Sequence, residues 1–212
     1  ATIKGGDFSA DPTVSNHALA KLVDGYVVVE NNGRYQVVLA AAKVDNTYYA
    51  TVADAFAAAV NGSVITLMQD VVIDSETYTI ADGVAVTLDM NGKTMTVTDN
   101  KTANYELFYI YGEMTVIGNG TITLTATNNR AWNAMSVIFH NRGGELTIDN
   151  GTFTHNGGTD MAYVIDNSAN WYGDVVTNVN GGTLTSTYIA IRNRMEQNTH
   201  GASGKATLNV YG

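Results

Sequence analysis

Met114-Thr115-Val116-Ile117-Gly118-Asn119-Gly120-Thr121-Ile122-Thr123-Leu124-Thr125 is two short alternating stretches joined at an Asn-Gly turn. Apolar and polar residues follow the two-residue period of half-buried strands, with threonine on the polar side. Alone, an Asn-Gly pair between strands also suits a two-residue antiparallel hairpin, because both residues tolerate positive φ. The neighbouring sequence decides. Val86-Thr87-Leu88-Asp89-Met90-Asn91-Gly92 lies upstream, Leu146-Thr147-Ile148-Asp149-Asn150-Gly151 and Val176-Thr177-Asn178-Val179-Asn180-Gly181 downstream, and Thr207-Leu208-Asn209-Val210-Tyr211-Gly212 is a fifth copy. Asn91, Asn119, Asn150 and Asn180 are 28, 31 and 30 residues apart, a spacing that independent hairpins have no reason to keep. Several short strands per period predict an all-β fold, a right-handed parallel β-helix over 63–212 whose equivalent positions stack between rungs.

The chain before the repeats reads differently. Asp24 to Leu39, centred on Asn31-Asn32-Gly33, reads as a β-hairpin, and Lys43-Val44 with Tyr48-Tyr49 around Asp45-Asn46 as a second, within a hairpin region over 13–50. One short helix follows, in the segment 51–62. Thr51 is its N-cap, with Asp54 three residues on. Val52, Ala55, Phe56, Ala59 and Val60 form one apolar face before Asn61-Gly62 stops it. Placed before the first repeat strand, this helix is expected to cap the open end of the β-helix core, with Phe56 packing into it.

At 212 residues the chain has material for one to two domains. Lys plus Arg is 11 against Asp plus Glu at 20, and the net charge of -9 argues against nucleic acid and anionic membranes as partners. No run approaches the ~18 apolar residues of a membrane span, so membrane insertion is not expected. Cysteine is absent, which excludes disulfides, thiolate metal sites and cysteine nucleophiles and suits an exported bacterial protein. Ala1 to Gly6 lack the basic-then-apolar pattern of a signal peptide, and a secreted precursor is expected to have lost it before Ala1.

Gly5-Gly6-Asp7-Phe8-Ser9-Ala10-Asp11-Pro12, with Asp24-Gly25-Tyr26, Asn32-Gly33 and Tyr35-Gln36-Val37, resembles a module of large adhesin-like surface proteins of gut Firmicutes and related bacteria. Lys43-Val44-Asp45, Tyr49 to Ala55, Asn61 to Leu67 and Asp70-Val71 are similar to the strand, helix, strand opening that those proteins place before a right-handed parallel β-helix of the pectate-lyase-like type. The resemblance covers nearly the whole chain. It implies display on the bacterial cell surface or outside the cell, and adhesion, without implying a particular chemistry.

That fold type also includes polysaccharide lyases and glycoside hydrolases, each with its own catalytic motifs. The Asn-Thr-Asp, Asp-Asp and Gly-His-Gly motifs of polygalacturonase-like enzymes do not occur, and the lyase arginine motif needs a proline that this chain lacks after Pro12. No catalytic residue is assigned, and an enzyme of either class is the least favoured reading. His17, His140, His155 and His200 show neither i, i+4 pairing nor Glu-x-x-His, so no metal ligand or cofactor is expected. Asp89, Asn91, Asp149 and Asn150 recur at coil turns. They suit either calcium ligands lined up across rungs or ladders of side-chain hydrogen bonds with no ion. Trp132, Trp171 and Tyr172 lie in polar loops, where they either stack on sugar rings or fold back over the helix flank. With Arg192 and Arg194, read as solvated charges flanking a turn, they are the candidate glycan contacts of an alternative carbohydrate-binding module. The alternation of Tyr105, Phe108, Tyr109 and Tyr111 indicates strand packing.

Aligning Thr177 to Gly181 onto Leu208 to Gly212 puts Gly182-Thr183-Leu184 where residues after Gly212 would stand, and Ala1-Thr2-Ile3 fit there. The expectation is a continuing structure. Segment 1–12 of one copy completes the coil that another leaves open, through Ile3 and Phe8 against Asn209, Val210, Tyr211 and Gly212. The copies are repeats of one giant polypeptide or separate subunits stacked head to tail. The leading functional expectation is therefore a non-enzymatic structural module of a bacterial adhesin or filament, with other copies of itself as partners.

Overall fold

Each period of the sequence contributes one strand to each of three parallel sheets. The first sheet stacks Ser63–Leu67, Ala85–Asp89, Glu113–Ile117, Glu145–Ile148, Val175–Val179 and Ala206–Val210. The second stacks Val71–Asp74, Thr94–Asp99, Thr121–Ala126, Thr152–Gly157 and Thr183–Ser186. In the third, Tyr78–Ile80, Tyr105–Ile110, Ser136–Asn141, Ala162–Ala169 and Ile189–Met195 lie side by side. This is a parallel β-helix, seen in a computed structural model that describes residues 2–14, 21–126, 131, 133–157, 161–169, 173–195 and 204–211.

The repeat register follows from which residues the core accepts. In the first sheet Val86, Met114, Leu146, Thr177 and Leu208 stand level, as do Leu88, Val116, Ile148, Val179 and Val210. A one-residue slip would turn every one of these side chains outward. The second sheet buries Met95, Ile122 and Phe153 on one side and stacks Thr96, Thr123, Thr154 and Thr185 on the other. Aromatic rings run through the centre. Phe108 stacks on Phe139 at 5.3 Å, and Phe139 meets Phe153 edge-on at 5.3 Å.

The third sheet departs from simple alternation. Leu107 and Phe108, Ile138 and Phe139, and Val164 and Ile165 are adjacent pairs, and all six belong to the core. The break recurs at one level in three successive coils, and a local irregularity of this kind re-aims the side chains beyond it. Tyr109, His140, Asp166 and Arg192 consequently share one level outside the core. Next to them Asn141, Asn167 and Asn193 form a ladder, buried at the first two and exposed at the third. Asn167 Nδ2 donates to Asn193 Oδ1 at 2.7 Å and to the Thr207 carbonyl at 2.9 Å, and Thr177 Oγ1 donates to Asn167 Oδ1 at 2.8 Å.

Glycine is required where the chain turns from the third sheet to the first. A Cβ on Gly144 would stand 1.9 Å from the Gly112 carbonyl oxygen, so only a bare backbone lets successive coils approach there. The Asn-Gly pairs serve two geometries. Asn32 and Gly33 have φ of 51° and 74° in the hairpin of Tyr26–Asn31 with Arg34–Leu39, whereas Asn91 and Gly92, at 48° and 69°, turn the chain between parallel sheets.

At the start of the β-helix, Ala42–Val44 pairs antiparallel with Ser63–Leu67 and with Thr47–Tyr49, which ends the first sheet. The helix spans Val52–Ala58, with Thr51 Oγ1 accepting from the Asp54 amide at 3.0 Å. Phe56 stacks on Tyr78 at 4.6 Å and meets Phe108 at 5.7 Å, which joins the helix to the aromatic column. The helix is shorter than its apolar pattern predicts. Ala59 leaves helical geometry, and Val60 is 66% exposed instead of completing the apolar face. Within one chain Thr2–Ile3 pairs with Lys21–Leu22, and Gly6–Phe8 forms the edge strand of a three-stranded sheet beside Arg34–Leu39.

Removing the ring in Phe56→Ala should cost about 2 kcal/mol in urea unfolding, below the ~3–5 kcal/mol of a fully buried phenylalanine because Phe56 is half-buried. An unchanged midpoint would show that the helix does not cover the core. Gly144→Ala should destabilise by roughly 3 kcal/mol or more through backbone collision. Gly83→Ala, at φ +73° with nothing nearby, should cost only about 1 kcal/mol.

Candidate functional site

On the outside of the third sheet lies a cluster of charged side chains that are buried although they face away from the core. Asp166 is 0% exposed, His140 1% and Glu106 8%. His140 lies between the two carboxylates, with Nδ1 3.6 Å from Glu106 Oε1 and Nε2 3.4 Å from Asp166 Oδ2. Arg192 closes the other side of Asp166 with a two-pronged contact, Nε donating to Oδ1 at 2.9 Å and Nη2 to Oδ2. Arg194 Nη2 stands 3.5 Å from Asp166 Oδ2.

Aromatic side chains hold the cations in place. The Arg192 guanidinium lies 4.0 Å from the centre of the Tyr163 ring, and its Nη1 donates to Tyr163 Oη at 2.9 Å. Arg142 sits over Tyr109 at 5.4 Å and donates to its hydroxyl, and the Tyr109 ring is 5.1 Å from that of His140. Planar guanidinium groups both stack and fork, which lysine cannot reproduce.

Burial is the largest influence on Asp166 and pushes its carboxyl upward. The Arg192 hydrogen bonds, with the charges of His140, Arg192 and Arg194, together outweigh it and hold the carboxyl below its ordinary range. Both ring nitrogens of His140 and the hydroxyl of Ser168 are buried without a hydrogen-bond partner among the described residues. Two carboxylates flanking an imidazole are the materials of acid–base chemistry. Here Asp166 is committed to Arg192, and the three groups present almost no surface.

A groove of about 340 Å³ follows the glycine turns, lined by Asp82, Glu113, Glu145 and Asp174. Some of this acidity serves the turns: Asn178 Nδ2 donates to Glu145 at 2.8 Å, and the Lys205 amide to Asp174 at 2.7 Å. At the other coil turns the Asp and Asn side chains bond from rung to rung, Asn150 donating to Asn119 at 2.5 Å and Asn180 to Asp149 at 2.7 Å. Within the first sheet Asn209 donates to Asn178 at 2.8 Å in the same way. Those bonds form the side-chain ladder of the two readings left open for Asp149 and Asn150. Among the described residues no three His, Asp or Glu side chains converge on a metal position.

No protein-family model, curated protein or solved structure matches this chain.

The expectation that Arg192 and Arg194 flank a turn as solvated charges is corrected. Both lie within the strand Ile189–Met195, with side chains 17% and 31% exposed, because the buried Asp166 draws them onto the sheet. Tyr105 and Phe108 pack into the core, while Tyr109 and Tyr111 lie half-buried on the outer surface with their rings tilted against each other at 5.2 Å. Trp132, Trp171, Tyr172 and Gly212 lie outside the described residues. Ile3 and Phe8 are half-buried in their own-chain strands, Asn209 is half-buried, and Val210 and Tyr211 are exposed.

Glu106, Arg142, Tyr163 and Asp166 were not singled out by the sequence, and His140 and Tyr109 were read only as a histidine without metal-ligand spacing and as strand packing. Their signal was the same long period that exposed the Asn-Gly turns. His140 to Asp166 and Asp166 to Arg192 are each 26 residues, whereas Tyr109 to His140 is 31, so unequal loops hide the alignment.

Asp166→Asn should cost about 3–5 kcal/mol at neutral pH, since it leaves Arg192 uncompensated in a buried setting. Asp166→Leu combined with Arg192→Leu should recover much of that loss in the same urea titration. Because the Asp166 carboxyl is lowered on folding, its contribution is complete above the ordinary value of 3.8 and disappears as pH falls through the lower folded value. The acid limb of stability should therefore be shallower in Asp166→Asn than in the parent protein.

Proposed function

We propose that this chain is a non-enzymatic structural module of a bacterial extracellular surface protein, of the adhesin-like kind that its sequence resembles. Its coils are continued by further β-coils, belonging either to the same polypeptide or to a second copy stacked head to tail. One observation carries this reading. Among the described residues Thr183–Ser186, Ile189–Met195 and Ala206–Val210 have a strand partner on one side only, and this last coil exposes Met195 at 63%, Val210 at 62% and Tyr211 at 58%. Open parallel edges bearing apolar side chains are templates for another strand. The first coil carries a helix and an antiparallel hairpin instead, so the two ends differ, and contact between unlike ends propagates in one direction. Segment 1–12, with Ile3 and Phe8, is the complement proposed for the open coil.

Purified protein should form end-to-end species in light scattering and negative-stain micrographs. Met195→Asp with Tyr211→Asp should render it monodisperse without lowering its melting temperature. A covalent tandem of two copies tests continuity within one polypeptide: a buried seam raises the melting temperature above that of the single copy, whereas an unchanged value counts against continued coils.

A further inference from the structure

We propose that Asn32 is a site of self-modification: attack by the Gly33 amide converts it to aspartate and isoaspartate, while the fold keeps the other Asn-Gly pairs intact. The inference rests on the turns alone and stands whether or not copies assemble.

Asparagine before glycine is the sequence most prone to this reaction, because glycine has no side chain to hold its amide nitrogen away from the preceding carboxamide. Water is the only co-reactant. The Gly33 nitrogen gives its proton to a solvent base and bonds to Asn32 Cγ. The bond from Cγ to Nδ2 then breaks, and the nitrogen leaves as ammonia with a proton from water. A water molecule opens the resulting five-membered imide at either carbonyl. One opening gives aspartate, the other an isoaspartate whose backbone runs through Cβ and Cγ.

The sequence holds seven Asn-Gly pairs, and six of them are fastened. Asn61 Oδ1 accepts from the Ala85 amide at 2.8 Å, and the Gly62 amide donates to the Ala85 carbonyl at 2.8 Å. Asn91 Nδ2 donates to the Leu67 carbonyl at 2.9 Å, and Asn180 Nδ2 to Asp149 at 2.7 Å. Asn119 and Asn150 hold each other across one rung, Gly120 and Gly151 are buried, and the Gly151 amide donates to Asn150 Oδ1 at 2.8 Å. After Asn156, the Gly157 amide donates to Thr187 Oγ1 at 3.2 Å. At each of these pairs a bond anchored in the stacked coils must break before carbon and nitrogen can meet.

Asn32 differs. With Gly33 it forms the exposed tip of the hairpin of Tyr26–Asn31 and Arg34–Leu39, and among the described residues neither its carboxamide nor the Gly33 amide has a hydrogen-bond partner. A Cβ on Gly33 would meet nothing within 4 Å beyond its chain neighbours, so solvent base reaches the nitrogen. The left-handed φ of 51° at Asn32 has to relax for the attack, and at a hairpin tip that opening disturbs only the last strand pair, Asn31 with Arg34. The product places a carboxylate two residues from Arg34, which pairs with Asp7 at 2.8 Å, and the longer isoaspartate backbone no longer suits a two-residue loop.

Peptide mapping by mass spectrometry after incubation in mildly alkaline buffer tests this, with isoaspartate identified by enzymatic methyl labelling. In the folded protein Asn32 should convert about tenfold or more faster than any other Asn-Gly asparagine. In urea all seven should convert at rates within a few-fold of one another. Isoaspartate should accompany aspartate at Asn32, since direct hydrolysis of the side chain gives aspartate alone, and the rate should rise with pH because the glycine nitrogen must lose its proton. Earlier conversion at another pair, equal rates at Asn32 and the fastened asparagines in the folded protein, or an intact Asn32 over the time in which the unfolded chain reacts would overturn the proposal.

Discussion

Parallel pairing in fixed register, rung on rung, is the constraint on which everything else in this protein depends. Once Val86, Met114 and Leu146 stand level, the glycine turns, the aromatic column, the asparagine ladder and the outer charge cluster are all set at their own levels. Each coil buries its inner side chains only because neighbours lie above and below it. The stability of one rung is therefore largely that of its interfaces. Gly144 illustrates the tightness of that stacking, since its neighbour's carbonyl occupies the place of a methyl group.

The same constraint turns sequence periodicity into chemistry. Residues far apart in the chain become columns of like position, and a column can be filled by identical residues or by complementary ones. The second sheet takes the first option with its threonines, and the corner takes it with Asn141, Asn167 and Asn193. The third sheet takes the other, placing Glu106, His140, Asp166 and Arg192 so that opposite charges can meet across successive rungs. Such burial is costly unless each charge is paired, which accounts for Asp166 having an arginine held firmly on one side and an imidazole on the other.

The two ends of the coil differ. The first is covered by the helix and the antiparallel hairpin, and the last leaves strand edges open among the described residues, which is where continuation is proposed.

The repeated Asn-Gly turns, the threonine alternation and the small-residue helix after Thr51 were enough to derive a β-helix with a hairpin region and one short helix, because local periodicity reports directly on which residues face a core. The early end of the helix at Ala58 was not legible, since Ala59 and Val60 continue the apolar pattern past the point where the backbone leaves helical geometry. Nor was the charge cluster. Asp166 and Arg192 mean nothing to each other 26 residues apart until the loops between them are closed to a definite length and the break at Val164 and Ile165 turns Asp166 outward beside Arg192. Local residue order determined the coil; the burial and pairing of its outer charges were decided only by how unequal loops brought successive rungs together.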